Sequence, residues 1–62
     1  MRSLVYRGWV ISDEGYNEIN KMHKLRAEKD NVVKTKFVER QHISDDSKFI
    51  DACKEFYNSE LQ

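Results

Sequence analysis

The chain has 62 residues, with 11 basic and 11 acidic side chains, no proline, two glycines and one cysteine. That length holds one small domain, residues 1–62, of marginal stability, and the lone Cys53 excludes an internal disulfide and fits a reducing, cytoplasmic setting. No run approaches the length of a membrane span, and the first ten residues lack the apolar core and cleavage site of a signal peptide, so neither is expected.

The first stretch, "SLVYRGWVI", is rich in β-branched and aromatic residues and reads as extended. Arg7–Gly8 either bends it into a short hairpin or lies within one strand. Tyr6, Arg7 and Trp9 are the three residue types most enriched at binding hot spots. In one continuous strand Tyr6 and Trp9, three apart, point to opposite faces, so only one packs inward unless a turn intervenes at Gly8. Trp9 is read as the exposed, partner-facing member.

Next comes "ISDE" at 11–14, which returns as "ISDD" at 43–46. Both read as helix starts. Ser12 is placed as an N-cap, Asp13 and Glu14 in the first turn, and Ile11 with Tyr16 as a hydrophobic staple. The helix is expected to run from Asp13 to Glu28 or Asp30. Its apolar positions Tyr16, Ile19, Met22 and Leu25 step by three, so the buried face drifts.

In "NVVKTKFVE", Val33, Thr35 and Phe37 alternate with Lys34 and Lys36, which predicts a strand with the first three packed and the lysines wet. After the second start, Ser44 is placed as the cap with Asp45 and Asp46 behind it. Phe49, Ile50, Cys53, Phe56, Tyr57 and Leu61 then form one apolar stripe of a helix. The fold expected is therefore α+β, read as β-α-β-α, with two parallel strands joined by a right-handed crossover. Two strands are marginal alone, so a homodimer or partner is expected to complete the sheet. The alternative is a mainly helical chain through residues 13–40, with Met22, Leu25, Val32 and Val33 on one seam.

Catalytic chemistry is not expected. His23, His42 and Cys53 lack the spacing of a metal site, and no glycine-rich phosphate loop exists, so no metal or cofactor is assigned. Cys53 falls on the apolar stripe, where a cysteine acts as a small hydrophobe. The function expected is that of a small non-enzymatic protein-interaction or regulatory protein, of adaptor or inhibitor type, with Tyr6, Arg7 and Trp9 meeting a protein partner. The alternative is nucleic-acid binding. Residues 20–40 carry seven basic side chains against three acidic ones, and Lys21, Lys24, Lys29, Lys34, Lys36 and Arg40 would supply the phosphate contacts. The composition, rich in Lys, Asp, Ile and Asn without proline, is that of a small accessory or mobile-element protein.

Overall fold

A computed structural model describes residues 2–62. Four strands, β1 (Ser3–Tyr6), β2 (Trp9–Asn17), β3 (Met22–Lys29) and β4 (Val32–Glu39), form an antiparallel sheet in the order β1-β2-β3-β4. A short 3-10 helix, Arg40–Ile43, leads into α1 (Asp46–Phe56), which loosens into a π-type turn at Tyr57–Leu61. The element order is thus β-β-β-β-α, an α+β domain, and both the β-α-β-α reading with its parallel crossover and the mainly helical alternative are corrected. The sheet is completed inside one chain, so the need for a second copy to supply strands disappears. Among the described residues no helix is long and apolar enough to cross a membrane.

The helix expected over residues 13–30 is instead the second half of β2, a loop and all of β3. In β3, "MHKLRAEK" is made of good helix formers. Its burial nevertheless alternates: Leu25 and Ala27 are fully buried, whereas Lys24 and Glu28 are exposed. That period of two outweighs local propensity, because pairing with both β2 and β4 gives the segment a face to bury. The β2–β3 register shifts between Asp13 and Tyr16, where Gly15 takes φ +108°, the signature of a bulge built on a glycine. The loop that follows is set by two asparagines. The Asn17 and Asn20 side-chain oxygens accept from the backbone N–H groups of Ile19 and Met22 at 2.8 and 3.1 Å, the local competition that turns a chain rather than coiling it.

Two hairpins close with two-residue turns, Arg7–Gly8 (φ +49° and +87°) and Asp30–Asn31 (φ +49° and +69°). Positive φ at both central residues matches the right-handed twist of the flanking strands. α1 lies where its stripe predicts, but its cap is Asp45, whose carboxylate accepts from the Lys48 N–H at 2.9 Å. Ser44 is not the cap; it ends the 3-10 helix.

The core lies between one face of the sheet and α1. Ile11, Leu25 and Ala27 meet Phe49, Cys53 and Phe56, with Ile43 and Leu61 closing the two ends. β4 does alternate, but with its faces reversed. Val38 is buried, Lys36 is half-buried on the helix side, and Val33, Thr35 and Phe37 are exposed on the other side. The cause is reach: long lysine side chains extend past the sheet margin to the end of the helix.

Candidate functional site: the uncovered sheet face and its hairpin rim

α1 covers one face of the sheet and nothing among the described residues covers the other. The strand register sets Val5, Val10, Glu28 and Val33 in one row across all four strands. Val5 is 69% exposed, Val10 46% and Val33 47%, and Phe37, directly opposite Lys24, is 43% exposed. A neighbouring row runs Ser3, Ser12, Arg26 and Thr35. Arg26 donates to Glu28 at 3.1 Å, so two of the three charges that β3 sets on this face partly neutralise each other, leaving Lys24. Apolar side chains thus alternate with polar ones across the face, with Val5 and Val10 directly paired, the mixed composition of a surface that meets other proteins.

The rim of this face is the β1–β2 hairpin. Because its turn consumes Arg7 and Gly8, Tyr6 and Trp9 become a cross-strand pair on the same, helix-facing side. Trp9 is 7% exposed and belongs to the core, which corrects its reading as the exposed aromatic. Lys29 passes over its ring at 6.0 Å. Tyr6 is half-buried and meets Tyr57 edge to face at 5.2 Å. Arg7 stands at the exposed tip, its guanidinium 5.5 Å from both tyrosine rings. The Tyr6 side chain first, and Tyr57 after it, raise the Arg7 pKa above its ordinary value. The structure therefore joins Tyr6 and Arg7, adds Tyr57 to them, and withdraws Trp9.

The basic residues do not converge. Lys21 lies in the β2–β3 loop and Lys24 on the open face, while Lys29 lies at the opposite end beside Gly8. Lys34 donates to the Glu60 carbonyl at 2.9 Å and Lys36 to the Ser59 hydroxyl at 3.5 Å, so both are drawn to the end of the helical segment. Arg40 sits over Tyr16 at 5.5 Å. The six cations fall within residues 21–40 in sequence and are dispersed in space.

A polar cluster that the sequence reading missed lies at the other end of the core. Asp13 is buried on the helix side of β2 and accepts from Arg2 at 3.2 Å and from the Gly15 N–H at 2.9 Å, with His23 Nδ1 at 3.2 Å. Arg2 also donates to the carbonyls of Ile43 (2.7 Å) and Asp45 (3.3 Å) and lies over the Phe49 ring. Burial pushes the Asp13 carboxyl up, but Gly15, His23 and Arg2 together outweigh it and hold the group below its ordinary value. These bonds tie the residue before β1 to β2, β3 and the entry to α1. Cys53 is fully buried, and that burial drives its thiol up to about 11, far from a nucleophilic thiolate. Among the described residues no three His, Cys, Asp or Glu side chains gather to hold a metal ion.

The open face carried a signal in the sequence. Val5 and Val10 alternate with Leu4, Tyr6, Trp9 and Ile11 once the two-residue turn is placed, but a strand apolar on both faces hides which face is covered. Compared with known protein families, with curated proteins and with solved structures, the chain matches none of them.

Proposed function

We propose that this chain is a non-enzymatic, cytoplasmic protein-binding domain whose uncovered sheet face, bordered by Arg7, receives a protein partner. The observation that carries this reading is the exposed apolar row. Val5, Val10 and Val33 share one line across the sheet, with Glu28 between the last two and Phe37 nearby, and no element among the described residues lies over them. Arg7 stands at the hairpin tip beside this face, its guanidinium held on the helix side by Tyr6 and Tyr57, and so offers a cation at the margin of the sheet. The chemistry-bearing residues support a non-enzyme: Cys53 is enclosed, and the Asp13–His23 pair is tied into the scaffold by Arg2. The dispersal of Lys21, Lys24, Lys29, Lys34, Lys36 and Arg40 weakens the nucleic-acid reading, since phosphate binding gains from cations that converge.

The test is affinity capture from nuclease-treated lysate with the wild type and with Val10→Asp plus Phe37→Asp, both shown by circular dichroism to be folded. Loss of one hot-spot anchor at a binding face costs about 2 kcal/mol or more, roughly thirtyfold in affinity. The double variant is therefore expected to lose the captured protein, and Arg7→Ala to weaken it. An unchanged capture by the double variant removes the open face from the function. Capture that vanishes on nuclease treatment or steeply with salt returns the nucleic-acid reading.

A further inference from the structure

We propose that the free edge of β4 accepts an extended segment of the partner as a fifth, antiparallel strand, with an apolar side chain opposite Val38 and acidic side chains opposite Lys36 and Lys34. The inference rests on the protein-binding reading of the open face and adds how the partner's chain is held. β4 is the longer of the two sheet edges, eight residues against the four of β1, and it pairs with β3 without a bulge from Val32 to Glu39. Its two-residue turn makes Lys29 and Val32 a hydrogen-bonded pair. The alternation of an antiparallel ladder then leaves the main-chain groups of Val33, Thr35, Phe37 and Glu39 directed away from β3. Among the described residues no backbone or side-chain group bonds to them there.

Alongside this edge a cleft of about 860 Å³ runs between β4 and α1, with Phe37 and Val38 on the strand wall and Lys48, Asp51, Ala52 and Glu55 on the helix wall. A strand added at the ordinary spacing of about 4.8 Å sends alternate side chains into this cleft, against Val38 and Ala52. Its remaining side chains continue the open face beyond Phe37. Main-chain pairing supplies affinity and the alternate pockets supply choice.

Charge selects the occupant. Lys34 and Lys36 bond only to neutral oxygens, and neither forms an ion pair among the described residues. A second copy is a poor occupant. Two-fold pairing of β4 with itself centred on Lys34, Thr35 or Lys36 sets Lys34 against Lys34, Lys34 against Lys36, or Lys36 against Lys36, and like charges directly opposite destabilise a sheet. Edge lysines are also a common guard against self-pairing. A segment with carboxylates at those two places converts the guard into a selector. Asp51 and Glu55 on the helix wall oppose a third carboxylate deeper in the cleft, which is why the position opposite Val38 is apolar.

The probes are two capped heptapeptides, Thr-Val-Thr-Glu-Thr-Glu-Thr and Thr-Val-Thr-Lys-Thr-Lys-Thr, titrated into the whole protein and followed by amide NMR shifts and hydrogen exchange. The acidic peptide should shift and protect the amides of Val33, Thr35, Phe37 and Glu39, and bind roughly tenfold tighter than the lysine peptide. In Lys34→Glu plus Lys36→Glu the preference should invert. Shifts confined to Val5 and Val10, equal affinities, no binding at millimolar peptide, or protection of the β4 amides that rises with protein concentration without peptide would each overturn the inference. Partner capture separates the two readings. If Val10→Asp plus Phe37→Asp abolishes capture while a folded Thr35→Pro and the Lys34→Glu plus Lys36→Glu variant retain it, the open face stands and the edge falls. If capture survives all of them, both fall.

Discussion

At the scale of single residues, Asp13 shows how position decides the role of a carboxylate. Next to a helix start it would have served the dipole, but in β2 it points into the core and must be satisfied there. Its pKa is held below the ordinary 3.8. The stability it contributes is therefore fully present above that value and lost as pH falls through the lower, folded value. Asp13→Asn keeps the shape and removes the charge, leaving Arg2 only the exposed Asp46 carboxylate at 4.0 Å as counter-ion. It should cost about 1–3 kcal/mol at neutral pH. Urea midpoints of the variant and wild type should then draw together below the ordinary carboxyl value. A gap that stays constant with pH would show that the carboxylate's charge is irrelevant to the fold. The acid limb thus reports one network, formed by residues far apart in sequence.

At the scale of elements, the two tight turns are the points where local backbone preference can be tuned. Asn31 adopts φ +69° at the second turn position, a place that glycine occupies without the Cβ penalty. Asn31→Gly should stabilise by a few tenths to about 1 kcal/mol, seen as a higher Tm with unchanged circular dichroism. A fall in Tm would mean that the asparagine side chain contributes more than its backbone strain costs. Gly8 offers the reverse case, because a Cβ there would press on Lys29 Cε at 3.3 Å. The same turns explain what was legible in the sequence. α1 was readable because Phe49, Cys53 and Phe56 repeat at helical spacing over about two turns. β4 was readable as a strand from its lysine alternation, although not which side was covered. β3 was hidden because Met, Lys, Leu, Arg, Ala and Glu favour a helix locally and only tertiary pairing makes them a strand. The candidate site was half legible: Arg7 with Tyr6 was placed, whereas Tyr57, fifty residues on, reaches Tyr6 only through the packing of the helix end.

At the scale of the whole molecule, each strand pairs with its neighbour in sequence and α1 then closes back over the sheet. Such local wiring lowers the entropy of bringing partners together, and the chain has no proline to impose a slow isomerisation. Trp9, the sole tryptophan, sits in the core and reports closure without a label. Stopped-flow refolding followed by its fluorescence should give one blue-shifting phase on the order of milliseconds. A second, slower phase would show that sheet formation and helix docking are separate events.

The order of the elements also bears on synthesis. On a ribosome the four strands emerge before the helix that shields their inner face, so for a time Ile11, Leu25 and Ala27 are as bare as Val10 and Phe37 on the other side. A chain cut before Asp46 would display the inner face of the sheet bare, with its β4 edge guarded only by Lys34 and Lys36. Residues 46–62 therefore act as a cover for the sheet, and a chain cut after Asp45 should collect in the insoluble fraction under conditions where residues 1–62 stay in solution.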